Sequence, residues 1–179
     1  LAAAGVGTIG IADGDTVELS NLQRQVIHFT PDVGRNKVDS AGEKLRKINP
    51  HVRINTYHES LTVENILDIV REYDFIVDGT DNFPTKYLIN DACVLASKPF
   101  TQGGILRFEG QIFTHLPGTA CYRCLFGERP AGGSPSCSQA GVLGAIAGIV
   151  GSIQAAETLK YLTGTGELLT DRLLTFDAR

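Results

Sequence analysis

The stretch Leu1-Ala2-Ala3-Ala4-Gly5-Val6-Gly7-Thr8-Ile9-Gly10-Ile11-Ala12-Asp13 opens the chain with G-x-G-x-x-G spacing at Gly5, Gly7 and Gly10. That spacing cradles a dinucleotide pyrophosphate only where a strand enters it and a helix leaves it, because the phosphates sit on exposed helix N–H groups. Here the order is reversed. Helix-forming residues precede the glycines, and the β-branched run Thr8-Ile9-Gly10-Ile11 follows them and leads to an acid. Gly5 and Gly7 therefore read as a helix C-cap and a turn into a strand. A nicotinamide oxidoreductase reading rests on these glycines alone, and their context counts against it. The same reasoning expects the chain to open on the last turn of a helix, with the first strand of a doubly wound sheet and the true phosphate loop upstream of Leu1.

With 179 residues, 42% of them hydrophobic, the chain has the size and apolar content of one globular domain. A formal net charge of −4 gives no broad attraction for nucleic acid or an anionic membrane. The most apolar stretch, 141–156, is shorter than the roughly 20 residues that a bilayer needs. These features predict a cytoplasmic protein with neither nucleic acid nor membrane as partner. Four cysteines are too few for a disulfide scaffold, and the spacing Cys121-Tyr122-Arg123-Cys124 turns the question to metal or redox chemistry.

Strand-like and helix-like segments alternate, which predicts an α/β fold: a Rossmann-like, doubly wound, mostly parallel sheet with antiparallel strands in its second half. Strands are expected at 8–13, 52–57 and 74–78, the last as a fully buried central strand. Helices are expected at 35–48, 63–71 and 85–97. Segments 99–105 and 109–115 read as an antiparallel pair, and 116–138 as a Gly/Pro/Ser/Cys-rich crossover loop too long to be incidental. Residues 141–162 read as a helix apolar nearly all round, buried in the core or in a dimer interface. A last strand follows at 173–176.

Candidate chemistry gathers at the carboxyl ends of these strands. Asp13 stands where an acid commonly meets a ribose hydroxyl, or else is a turn acid in Asp13-Gly14-Asp15. The next loop brings Asp15, Ser20, Asn21, Arg24 and Gln25, and Lys37 falls in the first turn of a helix. A cation there opposes the helix dipole unless an anion accompanies it, so Lys37 points to a phosphate; a solvated charged surface is the alternative. Asp78 and Asp81 add carboxylates, with Asn82 beside them, and one hard oxygen ligand plus substrate phosphates is how Mg²⁺ is usually held. Asp81 is alternatively the cap of the following helix.

The runs Ser20-Asn21-Leu22-Gln23-Arg24-Gln25, Gly34 to Val38, Asp78-Gly79-Thr80-Asp81-Asn82, Cys121-Tyr122-Arg123-Cys124-Leu125 and Ala140-Gly141-Val142-Leu143-Gly144 occur in that order. In this the chain resembles the MoeB/ThiF/HesA family, bacterial relatives of the ubiquitin-activating enzymes. The resemblance implies a single ATP-binding adenylation domain over 1–179, incomplete at both ends, that adenylates the C-terminal glycine of a ubiquitin-like sulfur carrier of the ThiS or MoaD type. It casts Asp13 as the ribose ligand, Asn21, Arg24 and Lys37 as triphosphate contacts, and Asp81 as the Mg²⁺ ligand. It also implies a homodimer and a structural zinc at Cys121 and Cys124, whose other two ligands would lie beyond Arg179.

Two departures from the family pattern are visible. The glycine-rich loop and the arginine that a partner subunit lends from its N-terminal segment are missing, and only one of two C-x-x-C pairs is present. Cys137 occupies the crossover position where some members carry a thiol that bonds to the carrier; a loop cysteine without a role is the alternative. Cys93 reads as core, and His28, His51, His58 and His115 are scattered without metal spacing and carry no assignment. A module that binds the carrier without making adenylate is the competing functional reading.

Overall fold

The opening glycines form a turn and then a strand. Leu1 to Gly5 close two successive turns, Ala4 N to Leu1 O and Gly5 N to Ala2 O, each 3.0 Å. Gly5 takes φ +83°, which an L side chain would resist, and the chain then enters β1 (Thr8–Ala12). Gly10 lies inside that strand opposite Asn55. No helix N-terminus follows these glycines, so they cradle nothing in the manner of a dinucleotide fold.

The computed structural model describes residues 1–127 and 141–179 as two compact units, Leu1–Leu61 and Thr62–Arg179. In the first, β1 pairs in parallel with β2 (Arg53–Tyr57), Thr8 opposite Arg53 and Ala12 opposite Tyr57. Parallel neighbours need a crossover, and α1 (Lys37–Ile48) supplies it, burying Val38 and Ala41 at helical spacing. It stops at Asn49, before Pro50. Between β1 and α1 the chain makes an irregular excursion over 13–36. Its base is stitched by Val17 N to Arg35 O and Gly34 N to Val17 O, both 2.8 Å, around a fully buried Val17.

The second unit contains α2 (Ile66–Arg71), β3 (Ile76–Asp78), α3 (Phe83–Leu95), β4 (Phe100–Leu106), β5 (Glu109–His115), α4 (Tyr122–Phe126), α5 (Gly144–Thr163) and β6 (Leu174–Asp177). Its sheet runs β3-β4-β5-β6, parallel between β3 and β4 and antiparallel thereafter. Ile112 of β5 with Ile146 and Val150 of α5 forms a core, packed against Ile105, Ile153, Leu169 and Phe176. The helix lies close to the sheet because Gly103 has no Cβ; one built there would stand 2.6 Å from Val150 Cγ1.

Two expectations are corrected, and a third is narrowed, since α5 is not buried all round within its own unit. β3 stands at the edge of its sheet with Val77 41% exposed, so its short apolar run does not mark a buried central strand. The described part of the crossover contains a helix, α4; residues 128–140 lie outside the described residues. α5 buries one face, with Ile146, Val150, Gln154, Glu157 and Thr158, and leaves Gly148, Ile149, Gly151 and Ser152 exposed. Composition hid this asymmetry because the exposed face is also apolar or small.

Candidate functional site

In the first unit the end of β1 meets the start of α1. Asp13 N continues the ladder to Tyr57 O, and its side-chain Oδ1 accepts from Asp15 N at 2.8 Å, closing a tight turn. This brings both carboxylates to Lys37, whose Nζ lies 2.7 Å from Asp15 Oδ2 and 3.5 Å from Asp13 Oδ2. Burial pulls the Lys37 pKa down, but the hydrogen bond to Asp15 and the charge of Asp13 outweigh it and the pKa rises. The ammonium opposes the helix dipole and is compensated by two anions. Asp15 is 73% exposed, so one of those anions is readily exchanged for another.

The predicted loop residues divide into two groups. Asn21 and Ser20 hold the loop's own shape: buried Asn21 accepts from Glu18 N through Oδ1 at 3.0 Å, and Ser20 Oγ donates to the Glu18 carboxylate at 3.0 Å. Arg24 and Gln25 keep capacity in reserve. Among the described residues, Arg24 Nη1 donates to Ser20 O at 3.0 Å, one bond for a group with five donors, and Gln25 Oε1 is buried with no partner. A buried acceptor without a donor suits a site that a ligand or water completes.

In the second unit Asp78 overturns its reading as a rim carboxylate. It is fully buried, and each carboxylate oxygen has two donors: Thr80 N (2.8 Å) and Oγ1 (2.7 Å) on Oδ1, Lys86 Nζ (3.1 Å) and Gln102 Nε2 (2.6 Å) on Oδ2. Gln154 Nε2 donates to the Asp78 backbone carbonyl at 2.9 Å. Sequence reading missed Lys86, Gln102 and Gln154, although a lysine in an apolar helix and a glutamine between strand residues were the available signals. The turn that Asp78 fixes presents Asp81, which is exposed and makes no hydrogen bond or ion pair among the described residues. The capping role falls to Asn82, whose Oδ1 accepts from Thr85 N at 2.9 Å.

Cys121 and Cys124 place their sulfurs 3.8 Å apart. Two thiolates at about 2.3 Å from a tetrahedral zinc stand about 3.8 Å apart, so the pair has the geometry of half a zinc site. Burial pushes the Cys121 thiol up, but hydrogen bonds from the Cys124 and Arg123 backbone outweigh it and hold the pKa below the ordinary value. The sequence showed no helix to do this; α4 begins at the next residue. Arg123 clasps Asp91 at 2.7 and 2.6 Å, and Tyr122 N donates to Asn90 Oδ1 at 2.8 Å, pinning the dithiol turn to α3. No group of three or more His, Cys, Asp or Glu suited to a metal occurs among the described residues. Cys93 is fully buried, its thiol pushed up to about 12 by burial, as a core residue requires. Cys137 lies outside the described residues. No helix among the described residues is long and apolar enough to cross a membrane.

Comparison with known proteins agrees with this architecture. The chain is 50% identical over 185 residues to a sulfur carrier protein adenylyltransferase of Thermus thermophilus, covering 99% of this chain and 68% of that protein. It is 49% identical over 180 residues to a maize adenylyltransferase and sulfurtransferase, MOCS3-1, again over 99% of this chain but only 38% of the relative's length. A crystal structure of E. coli MccB with ATP superposes with a TM-score of 0.83 at 24% identity, over 99% of this chain and 54% of that one, and shares the fold. The ThiF family profile matches residues 1–179 throughout, and the chain belongs to the ThiF family.

Proposed function

We propose that the chain is the nucleotide-binding part of a cytoplasmic enzyme that uses ATP to adenylate the C-terminal glycine carboxylate of a small ubiquitin-like sulfur carrier. The observation that carries this reading is the Asp13–Asp15–Lys37 cluster, joined in its unit by the unsatisfied Arg24 and Gln25 side chains. The extent of similarity to the Thermus adenylyltransferase supports the choice of acceptor.

In this reaction a carboxylate oxygen of the carrier attacks the α-phosphorus, the bond to the bridging oxygen breaks, and pyrophosphate leaves with the electron pair. An acyl adenylate remains. Asp13 accepts from the ribose hydroxyls. Lys37 exchanges the Asp15 carboxylate for phosphate oxygens and remains charged throughout, while Arg24 donates its remaining N–H groups. No protein nucleophile takes part, so the rate comes from positioning and electrostatics. Mg²⁺ would supply neutralisation of phosphate charge when bound, and in the second unit the exposed carboxylate of Asp81 would be its ligand. Cys121 and Cys124 would supply half of a structural zinc site, and the exposed face of α5 around Gly148 and Ile149 would join two copies.

The test is ATP–pyrophosphate exchange by the full-length protein, with carriers added one at a time. Carrier-dependent exchange that Asp81→Ala abolishes is the expected result. Tight carrier binding without exchange for any carrier would overturn the reading in favour of a non-catalytic binding module.

A further inference from the structure

Lys37, Ser40 and Lys44 stand three and then four residues apart, which sets them on one face of α1. All three meet the excursion over 13–36: Lys37 meets Asp13 and Asp15, Ser40 meets His28, and Lys44 meets Asp32. The lower two contacts are buried, with Ser40 0% and His28 7% exposed. Ser40 Oγ lies 2.8 Å from His28 Nδ1 and accepts from Lys44 Nζ at 2.8 Å. Lys44 also donates to Asp32, which takes Phe29 N at 2.7 Å and Arg35 Nη1 at 2.8 Å.

His28 is linked through the backbone to the candidate phosphate contacts. His28 N donates to Gln25 O at 3.0 Å, Gln25 N to Asn21 O at 2.9 Å, and Arg24 N to Asn21 O at 3.1 Å. A shift at His28 is therefore passed along consecutive turns to Gln25, Arg24 and Asn21. The hydrogen-bond inventory also selects a protonation state. Lysine has no acceptor, so the Ser40 hydroxyl accepts from Lys44, and its own proton is left for His28 Nδ1 or Asp32. A neutral imidazole serves in either case. A protonated one would only donate, placing a second cation on a hydroxyl already shared with Lys44.

We propose that His28 is a positioning residue of the nucleotide site: in its neutral form it hydrogen-bonds Ser40 and so fixes the turn carrying Asn21, Arg24 and Gln25 against the helix face that bears Lys37. The proposal rests on the nucleotide reading above. The charged groups facing His28 are Lys44 and Lys37, which oppose its protonation, and Asp32 and Asp13, which favour it. Burial and Lys44 prevail, and the pKa is held below its ordinary value.

The experiment is ATP binding and exchange kinetics of the full-length protein as a function of pH, with His28→Asn and His28→Phe. Asparagine offers a hydrogen-bonding group near the position of Nδ1 and does not titrate. Phenylalanine fills the space and offers none. The wild type is expected to bind ATP with constant affinity at neutral pH and to lose affinity on the acid side of the ordinary histidine range, where the lowered pKa places protonation of His28. His28→Asn should bind within about twofold of wild type at neutral pH and keep only the shallower acid-side decline that protonation of the ATP terminal phosphate itself gives. His28→Phe should raise KM for ATP by about tenfold, the worth of one buried hydrogen bond, with kcat and the carrier KM within about twofold. An unchanged KM for ATP in His28→Phe, or a wild-type acid-side decline in His28→Asn, overturns the proposal alone. A wild type that binds no ATP overturns the nucleotide reading and this proposal with it.

Discussion

Lysine meets aspartate in both units under opposite conditions. Lys37 lies between Asp15 and Asp13 at a surface where water reaches the Asp15 carboxylate, whereas Lys86 holds an Asp78 that has no exposed surface. Every carboxylate oxygen of Asp78 is occupied by protein donors, but the Asp13 and Asp15 carboxylates retain open sides. The difference lies in what replaces a lost partner. At the surface, water or a phosphate takes its place, so the pair adds about 0–1 kcal/mol to stability and is free to serve a ligand. In the interior nothing takes its place, so the pair shapes the fold and is closed to substrate.

The largest effect is expected from removing Asp78. Asp78→Ala leaves the Lys86 ammonium buried without its anion and should cost about 3–5 kcal/mol, read as a lower denaturation midpoint of the full-length protein. Pairing Asp78→Asn with Lys86→Met removes both charges, and the double variant should be less destabilised than the two single variants summed. Simple additivity would mean that the pair is not the closed unit described here. Next in size is Lys37→Ala, which should weaken ATP binding about 10- to 100-fold, as loss of a charged hydrogen bond to phosphate does, while stability changes by less than about 1 kcal/mol. A loss of stability as large as that of Asp78→Ala would erase the distinction between the two pairs.

The smallest effect is that of acid on the first unit. The hydrogen bond from Lys44 holds Asp32 well below the ordinary carboxylate range, and Lys47 with Arg35 lowers Glu43 to about 2. Both folded-state values lie below the unfolded ones, so their stabilisation is present above about pH 4 and is lost as pH falls toward the folded values. On the acid side of the decline that His28, whose folded-state pKa is also lowered, begins below about pH 6.5, the decline due to these two groups should therefore set in below about pH 4. Glu43→Gln should make that decline shallower, and an identical decline in the variant would contradict the assignment.

The order of the elements was readable in advance because it depends on neighbours in sequence. Val38 and Ala41 recur at helical spacing before Asn49-Pro50, and β5 runs over the residues that its pattern outlined. α4 was not readable, since five residues carry too little periodicity to stand out from a loop. In the candidate site, Asp13 and Lys37 were legible from their places at a strand end and a helix start. The assignment of Asn21 and Ser20 to shaping their own turn was not, nor was the role of His28, because His28 acquires meaning only from Ser40, twelve residues away.

The alternation of strands and helices, the exclusion of a glycine phosphate cradle at Gly5 to Gly10, and the residue types at the strand ends all follow from the order of residues along the chain. Those are local properties, set by periodicity, backbone preference and the order in which elements follow one another. It took the folded arrangement to make Asp78 a fully satisfied interior ion and Asp15 an exposed one, to give the α3 cap to Asn82 rather than Asp81, and to leave an apolar face of α5 exposed. Burial and hydrogen-bond saturation depend on residues remote in the chain, such as Gln102 and Gln154 against Asp78, and no window of neighbouring residues contains them.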